Sequence, residues 1–285
     1  MHSNPDDVIF TALQYVVPQA LLSRLAGKLA DAQTPWLKNL LIRRFCATYN
    51  VDLSDAVIED ATRYESFNAF FTRALKPGAR PLGEGIVSPA DGTLSQSGAI
   101  LHSTMVQAKG HGYTVEHLLG GEDQYSKPFK HGQFATVYLS PRDYHRVHMP
   151  CDGVLKRTVY IPGQLFSVNT TTAERVPNLF ARNERLVCHF DTEYGPMAMV
   201  LVGAMIVAGI ETVWSGQVPP HANDIQRSDF GTSISLKKGE EMGRFKLGST
   251  VILCFPEGVN TLPAHTAGST LRQGQALMQA GLPDE

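Results

Sequence analysis

The sequence carries almost no net charge and no paired-cysteine motif. Its 25 Lys and Arg residues nearly balance 27 Asp and Glu residues, which gives a formal net charge of −2 over 285 residues. Without an overall positive field, we predict no nucleic-acid partner. The four cysteines form no C-x-x-C pair, so neither a zinc knuckle nor a thioredoxin-type site is indicated. Scattered single cysteines are typical of buried thiols in a reducing compartment.

Long uninterrupted apolar segments are also missing. The longest apolar run covers residues 196–210 and is interrupted by Gly203 and Gly209, so it is too short to span a bilayer. The first ten residues contain two acidic residues and no Lys or Arg, which is unlike a secretory signal peptide. The sequence therefore predicts a chain that is not an integral membrane protein.

Helical periodicity dominates the N-terminal part of the chain. Leucines recur at helical spacing, and a second apolar stripe follows Pro35, a residue favoured in the first turn of a helix. Ser54 and Ser66 are predicted to be N-caps of two further short helices, and the tripeptide Lys-Pro-Gly at residues 76–78 ends the pattern. We therefore predict a helical region over residues 1–76.

From about residue 87 the pattern changes to short β-branched and aromatic runs separated by turn residues. The clearest predicted strands are residues 134–139, 154–161, 186–190, 197–202 and 250–255. The polar stretch 211–238 is expected to be a long loop or excursion. The chain therefore predicts an α+β fold, in which N-terminal amphipathic helices precede a mostly antiparallel, β-rich catalytic domain over residues 77–285.

The helical region has a basic bias that allows two interpretations. Residues 8–50 contain one acidic residue, Asp31, against five basic residues: Arg24, Lys28, Lys38, Arg43 and Arg44. Apolar stripes with basic flanks are typical of helices that lie in a membrane interface. Such stripes can equally cover the β-rich domain or a partner subunit, because most amphipathic helices face a protein core. The residues alone leave both interpretations open.

Three short segments contain residue types suited to acid–base and nucleophilic chemistry. Asp91 lies at a turn and either closes an Asx turn or orients an imidazole. His145 and His148 are either surface or capping residues or acid–base groups, since histidine titrates near neutrality. Ser249 follows Gly248 and either enters a strand from a tight turn or supplies a hydroxyl that attacks the preceding carbonyl.

A metal site is not predicted from these segments. His145 and His148 have H-x-x-H spacing, but no third ligand follows at a suitable spacing along the chain. We therefore expect neither a structural nor a catalytic metal ion.

Longer motifs around these residues favour the chemical interpretation. SPADG at residues 88–92 includes Asp91, DYHRVHMP at residues 143–150 includes both histidines, and LGST at residues 247–250 includes Ser249. In these motifs the sequence resembles the phosphatidylserine decarboxylase family, especially its bacterial membrane-associated branch. The resemblance covers nearly the whole chain, helical region included. It continues through residues 160–169, 176–185 and 210–214.

The resemblance implies a self-processing enzyme. Ser249 would attack the Gly248 carbonyl, with His148 as its base and Asp91 holding the imidazole tautomer. Cleavage would convert Ser249 into a covalent pyruvoyl group, so that the cofactor is made from the chain itself. The products would be two associated chains, β over residues 1–248 and α over residues 249–285.

The same resemblance implies the reaction and its setting. The pyruvoyl group would form a Schiff base with phosphatidylserine, and loss of carbon dioxide would give phosphatidylethanolamine. His145 would act in this decarboxylation step, while Phe166 and Ser167 are candidates for lining the substrate pocket. Because the substrate is a bilayer lipid, we expect the protein to bind an anionic membrane surface peripherally, on the cytoplasmic side of the cell membrane. The family also implies that the processed protein dimerises.

Three other functions remain open at this level. A pyruvoyl decarboxylase for a soluble amino acid would act without lipid. A β-rich carrier or binding module would not cleave itself and would give Asp91 no role. A serine hydrolase would keep an intact chain in which Ser249 reacts with a fluorophosphonate.

Overall fold

Two helices come first in the structure, a computed structural model that describes residues 11, 14, 19–108, 111–204, 209–218, 223–246 and 249–281, without the side chains of residues 19–21 and 24. Helix α1 spans Gln19–Ala30 and helix α2 spans Pro35–Tyr49. Pro35 lies in the first turn of α2 as predicted, because a proline there removes no intrahelical hydrogen bond. Within the described ranges, no helix is both long enough and apolar enough to cross a membrane.

Of the two predicted serine N-caps, one is confirmed and one is wrong. Ser66 begins helix α3, Phe67–Phe71, and its hydroxyl accepts a hydrogen bond from a backbone amide of that helix. Ser54 begins no helix, because its amide donates at 2.8 Å to the Asp52 carboxylate and closes a turn. A short 3₁₀ turn, Ala61–Arg63, comes later in this segment.

Aromatic side chains hold the helical region together. Phe45 of α2 packs against Phe67, Phe70 and Phe71, with ring centroids 5.1, 6.0 and 5.8 Å apart. Burial of these rings, rather than helix propensity, fixes α3 against α2. Elsewhere α1 and α2 leave large apolar side chains exposed: Leu22, Leu25, Leu29, Trp36 and Leu40.

The remainder of the described chain is mostly strand, which confirms the predicted α+β class. Each of the five predicted runs lies in a strand. The strands are β1 (Ile86–Val87), β2 (Gly92–Ala99), β3 (Thr104–Ala108), β4 (His111–Thr114), β5 (Gln133–Leu139), β6 (Arg146–His148), β7 (Gly153–Ile161), β8 (Arg185–Thr192), β9 (Gly195–Val202), β10 (Gly209–Thr212), β11 (Gly216–Gln217), β12 (Gln226–Asp229), β13 (Ser235–Leu236), β14 (Glu241–Lys246), β15 (Ser249–Phe255), β16 (Val259–Thr261), β17 (Thr270–Leu271) and β18 (Ala276–Ala280). The short helices between them are α4 (Val115–Leu119), α5 (Asp123–Ser126), α6 (Thr170–Ala173) and α7 (Leu179–Arg182).

Strand β15 lies near the centre of the largest sheet. The strand order is β12, β7, β8, β9, β15, β5, β2 and β17, with β13 added to β7. All neighbouring pairs in this order are antiparallel. On β15, Ser249 is opposite Leu139 of β5, and Thr250 is opposite Val202 of β9.

Both faces of this sheet are covered, which explains the apolar run of β15. Val251, Leu253 and Phe255 enter one buried cluster, whereas Ile252 and Cys254 enter a second cluster. A strand buried on both sides requires apolar residues at successive positions. The two clusters also fix the register, because a one-residue slip would exchange every side chain between the faces.

The polar stretch predicted to be a long loop contains strands instead. Strand β10 pairs with β14, which also pairs with β6, in a second antiparallel sheet. Strands β12 and β13 from the same stretch extend the large sheet at β7. Every residue of β12 is exposed, so its sequence lacks the apolar pattern by which strands are recognised. Residues 219–222 of this stretch lie outside the described residues.

The boundary between the helical region and the β-rich part, predicted after residue 76, stays a prediction. An isolated bridge joins Ala56 to Leu75 and closes the helical region. Contacts nevertheless cross to the β-rich part, since the Arg146 side chain of β6 donates to the Thr72 carbonyl at 2.8 Å.

Candidate active site

Ser249 is the first residue of β15 and is completely buried. Its Oγ has no hydrogen-bond partner among the described residues. A buried hydroxyl left unpaired costs about 1–3 kcal/mol, and folds retain such groups where they serve catalysis or another partner. Leu247 and Gly248, which include one side of the predicted cleavage position, lie outside the described residues.

The histidine segment reaches the same end of the large sheet as Ser249. Leu139, the last residue of β5, is the register partner of Ser249. The loop that follows Leu139 leads to His145, whose carbonyl accepts a hydrogen bond from the Phe245 amide of β14 at 3.0 Å. The chain therefore reaches His145 six residues after the register partner of Ser249, whereas His148 lies farther along β6, opposite Glu241 of β14.

His145 is a buried, neutral imidazole with one unused nitrogen. Its Nδ1 lies 2.8 Å from the Asp143 carbonyl oxygen, which can only accept, so Nδ1 carries the proton and Nε2 the lone pair. Nε2 has no partner among the described residues. The Phe71 ring packs on the imidazole with 4.0 Å between centroids. Burial lowers the pKa of His145 to about 3, so Nε2 is an unprotonated base at neutral pH.

His148 has the same tautomer, but its lone pair is occupied. Nδ1 donates to the Gly239 carbonyl at 2.8 Å, and Nε2 accepts from the Tyr144 hydroxyl at 2.9 Å. Burial lowers the pKa of His148 as well. The His148 amide donates to the Pro89 carbonyl at 2.8 Å, which ties β6 to the SPADG segment.

Asp91 has partners other than the expected one. Its carboxylate accepts from the Arg80 guanidinium at 2.9 and 2.6 Å and from the Gln273 amide at 2.8 Å. The described contacts of Asp91 do not include a hydrogen bond to His148, and the Gly239 carbonyl holds the imidazole tautomer instead. Burial lowers the pKa of His148, and the negative charge of Asp91 partly opposes that effect. The influence of Asp91 on the pKa of His148 is smaller than that of burial, of the Gly239 carbonyl and of the charges of Glu241 and Arg146.

A polar cavity of about 250 Å³ joins Asp91 to the histidine segment. Asp91, Asp143 and Tyr144 line it, and Tyr144 connects it to His148 through one hydroxyl. Burial raises the pKa of the Asp143 carboxyl, although the Ser140 amide donates to it. In the described part of the chain, no three His, Cys, Asp or Glu side chains are grouped so as to hold a metal ion.

Phe166 lies at the same end of the sheet as Ser249. Residues in register across β15, β9, β8 and β7 mark that end: Thr250, Val202, Arg185 and Ile161. The loop after Ile161 carries Phe166, whose amide donates to the Asn183 side chain at 3.2 Å. The same side chain donates to the Phe166 carbonyl at 2.8 Å and to the Gly203 carbonyl at 2.9 Å.

The side chain of Phe166 is buried in the second apolar cluster, whereas Ser167 is half-buried. The Ser167 amide donates to the Gln14 side chain at 2.8 Å, which joins this loop to the N-terminal region. The structure thus places both residues near the end of the sheet that carries Ser249. Their role in substrate binding stays a prediction.

Comparison with known proteins identifies the family of the chain. Residues 67–279 match the family model described as phosphatidylserine decarboxylase. The chain belongs to the phosphatidylserine decarboxylase family. A second family model, named PSD, matches residues 9–50, which fall in the helical region. The family membership predicted from the motifs is confirmed.

Relatives match along most of the chain. A protein of Ectopseudomonas mendocina is 57% identical over 282 residues, covering 96% of this chain and 99% of its own length. A protein of Alcanivorax borkumensis is 60% identical over 258 residues, covering 88% and 89%. A protein of Pseudomonas putida is 56% identical over 277 residues, covering 94% and 96%. Each is named a phosphatidylserine decarboxylase proenzyme, and this chain is an enzyme of that decarboxylase family.

In this member of the phosphatidylserine decarboxylase family, three residues that contact the candidate site residues were not predicted from the sequence: Tyr144, Arg80 and Gly239. Tyr144 stands inside the DYHRVHMP motif beside His145, so its position in the motif was the available signal. Arg80 and Gly239 lie 11 and 91 residues from the groups they contact. Neither belongs to a recognisable motif, and only the folded chain brings them to the site.

The buried histidines predict an acid-sensitive fold. The folded-state pKa is lowered to about 3 for His145 and about 4 for His189 of β8, and it is also lowered for His148. Unfolded imidazoles bind protons below about pH 6.5, whereas these folded ones do not, so the free energy of unfolding should fall as pH falls below that value. Each such histidine contributes up to about 1.4 kcal/mol per pH unit. Urea unfolding at several pH values measures this slope.

His189 provides the matched control because it lies outside the candidate site. His189→Gln should remove about one histidine's share of the slope. A free energy of unfolding that stays constant from about pH 7 to about pH 5 would contradict this prediction.

Proposed function

We propose that this chain cleaves itself between Gly248 and Ser249, converts Ser249 into a pyruvoyl group and then decarboxylates phosphatidylserine to phosphatidylethanolamine. The observation that carries the proposal is the Ser249 hydroxyl, which is buried and unpartnered among the described residues. Ser249 is in register with Leu139, and the loop that follows Leu139 leads to the histidine segment. The relatives' shared name of proenzyme supports processing.

Self-cleavage needs a base for the Ser249 hydroxyl, and we assign this role to His148. The imidazole takes the hydroxyl proton while Oγ bonds to the Gly248 carbonyl carbon. Breaking the peptide C–N bond passes the proton to nitrogen and leaves an ester. Loss of the Ser249 Cα proton then breaks the Cβ–Oγ bond and releases the Gly248 carboxylate. Water finally displaces the nitrogen as ammonia, which completes the pyruvoyl group.

Tyr144 and Asp91 determine when His148 can act. The Tyr144 hydroxyl occupies Nε2 at 2.9 Å, so it must release this nitrogen before His148 takes a proton directly from Ser249. Asp91 supplies a negative charge that favours the imidazolium formed in that step. The Gly239 carbonyl keeps Nδ1 protonated and therefore leaves Nε2 as the basic atom.

The surroundings of Ser249 fit a pyruvoyl group formed at this position. The group would be held covalently at the start of β15, where burial excludes water from the reacting end. When formed, its carbonyl supplies an electron-accepting group for decarboxylation of an amine substrate. We assign the proton movements of that step to His145, whose Nε2 lone pair can take up a proton and release it again.

The two chains formed by cleavage would remain one folded unit. Residues 249–281 supply β15, whose two neighbours both belong to the larger chain. The same segment supplies β17, which pairs with β2, and β18, which pairs with β1. Separation of the two chains would expose β15, which is buried along its whole length. The chains should therefore stay associated after the peptide bond is broken.

We further propose that α1 and α2 bind an anionic lipid surface on the cytoplasmic side of the membrane. Trp36 and Leu40 are 69% and 55% exposed, which is unusual for large apolar side chains unless they meet a partner or a lipid phase. Basic residues accompany them, since Lys28, Arg43 and Arg44 are exposed. These charges would attract anionic headgroups while the apolar side chains enter the interface.

Two details refine this surface. Lys38 is buried and its Nζ donates to the Thr62 carbonyl at 2.8 Å, so it serves the fold rather than the lipid. An apolar cavity of about 390 Å³ lies between the helices, with Leu29 and Phe45 among its lining residues and Arg44 beside them. The side chain of Arg24 lies outside the described residues.

Self-cleavage is tested by the intact mass of the purified protein. We expect two masses, for residues 1–248 and for a pyruvoyl-blocked chain of residues 249–285, which co-elute in gel filtration and separate in denaturant. Ser249→Ala should remain one chain, because it lacks the attacking oxygen.

Thr250→Val is the matched control for this test. Thr250 is the neighbouring buried hydroxyl without a partner among the described residues, so its replacement reproduces the loss of a hydroxyl but should still allow cleavage. An uncut wild-type protein that decarboxylates at full rate would contradict the proposal. An intact chain labelled at Ser249 by a fluorophosphonate would favour a serine hydrolase.

Substitutions of the two histidines should affect different steps, cleavage for His148 and decarboxylation for His145. His148→Ala and Asp91→Asn should block cleavage, because the serine loses its base or the imidazolium loses its stabilising charge. His145→Ala should cleave but turn over about 10²- to 10⁴-fold more slowly, as expected for loss of a general acid–base group. Gel analysis of cleavage and release of labelled carbon dioxide measure the two steps. If both histidine variants behave alike in both assays, the division of roles is wrong.

Lipid binding is tested with point substitutions, because Phe45 of α2 packs against α3 and a deletion would open that core. Trp36→Ser with Leu40→Ser should reduce sedimentation with phosphatidylserine vesicles while cleavage stays normal. Arg43→Gln and Arg44→Gln should each weaken binding by about 1 kcal/mol, roughly fivefold, at low salt. High salt should abolish this second effect, since charges are screened beyond about 10 Å at 0.1 M.

The control for the vesicle experiment is Val106→Ser, an exposed apolar residue of β3 outside the helical region. It should bind vesicles as the unmodified protein does. Unchanged sedimentation of the Trp36 and Leu40 double variant would show that the lipid contact lies elsewhere on the surface.

A further inference from the structure

We propose that Arg73 is a positioning residue for His145, which sets the direction of the imidazole from outside the histidine segment. The inference rests on the proposed role of His145 in decarboxylation and adds a residue that the sequence motifs do not include. Arg73 follows α3 in the helical region and is buried, with 5% of its surface exposed. A buried arginine needs hydrogen-bond acceptors, so the identity of those acceptors indicates what it does.

The Arg73 guanidinium binds the backbone of the loop that carries His145. One terminal nitrogen lies 3.0 Å from the Arg142 carbonyl oxygen and 3.4 Å from the Asp143 carbonyl oxygen. The Asp143 carbonyl is also the acceptor for Nδ1 of His145, at 2.8 Å. Arg73 and His145 therefore share one acceptor, and the position of that carbonyl fixes the imidazole tautomer.

Neighbours of Arg73 hold the same loop from the same side. Phe71, two residues earlier, packs on the His145 ring with 4.0 Å between centroids. Thr72 accepts from the Arg146 side chain at 2.8 Å. Three consecutive residues of the helical region thus contact the segment on either side of His145, which a chance surface contact would not do.

The positive charge of Arg73 and its hydrogen bonds have the same consequence, because both favour a neutral His145 imidazole. Burial lowers the pKa of His145 most, and the positive charge of Arg73 lowers it further. The other groups that face His145 add no charge there: the Asp143 carbonyl, the Phe71 ring, and the Phe245 amide on its backbone. The Asp143 carboxylate instead accepts from the Ser140 amide. Arg73 thus keeps Nε2 of His145 unprotonated and correctly aimed.

The test compares Arg73→Met, Arg73→Lys and the matched control Arg63→Met. Arg63 belongs to the same helical region but is exposed, lies outside the polar cavity and makes no described contact with the histidine loop. Arg73→Met should still cleave, keep the KM for lipid vesicles and lose about 10- to 100-fold in kcat, the scale of a misplaced catalytic group. Arg73→Lys keeps the charge and one donor and should recover part of kcat. Arg63→Met should behave as the unmodified enzyme.

A second readout does not depend on the cofactor or on activity. Nitrogen NMR of the uncleaved Ser249→Ala protein should show His145 as a pure Nδ1–H tautomer that does not titrate between about pH 5 and pH 8, where an ordinary imidazole does. Adding Arg73→Met should produce a mixture of tautomers and a higher pKa. If wild-type protein neither cleaves nor decarboxylates, the proposed function fails while this NMR comparison still tests the Arg73 contact.

Three results would overturn the positioning role. The first is an unchanged kcat together with an unchanged His145 tautomer in Arg73→Met. The second is an equal loss of cleavage and turnover in Arg73→Met, which would indicate a general effect on the fold. The third result applies if Arg73→Met does not fold, in which case Arg73→Lys is the deciding variant. A kcat and a His145 tautomer in Arg73→Lys equal to those of the unmodified protein would then overturn the role.

Discussion

The pairing of β15 with β5 and β9 is the constraint on which the site depends. Antiparallel register sets Ser249 opposite Leu139, so the position where β15 begins is also where the loop toward His145 leaves β5. Two buried clusters cover the faces of β15 and oppose any slip of that register. The candidate nucleophile is therefore the first residue of a central strand that is buried along its whole length. A strand held in this way can lose its covalent link to the preceding residue without losing its place.

Burial explains why the histidines are oriented by carbonyls rather than by a carboxylate. A carboxylate beside a buried imidazole would add a charge that needs its own compensation in a low-dielectric interior. The Asp143 and Gly239 carbonyls fix the tautomers without adding charge. Asp91, which is charged, is paired with Arg80 at 2.6 Å and makes no described hydrogen bond to His148. Both imidazoles thereby stay neutral, which an acid–base group needs before the reaction starts.

The sequence predicted those features that local physics determines and missed those that distant contacts determine. Apolar runs identified the central strands because both faces of the sheet are buried. Strand β12 escaped prediction because its exposed residues carry no such pattern. Ser54 was predicted to be a helix N-cap, but its amide donates a hydrogen bond to the Asp52 carboxylate two residues earlier. At the candidate site, motif resemblance predicts roles for Asp91, His145, His148 and Ser249. Arg73 and Gly239 contact their partners across 70 and 91 residues, which no local pattern encodes.

The side chains of the two helices divide between a packed inner face, which cover for the protein requires, and an exposed outer face, which the proposed lipid surface requires. Phe45 faces inward and joins the aromatic cluster of α3, whose Phe71 packs on His145. Trp36 and Leu40 face outward and are mostly exposed. Large exposed apolar patches mark surfaces that bind a protein partner or a membrane, and the proposed lipid surface would use this outer face. On the inner face, the aromatic cluster continues from Phe45 through Phe71 to the His145 ring, so the packing of the helices also supports the imidazole.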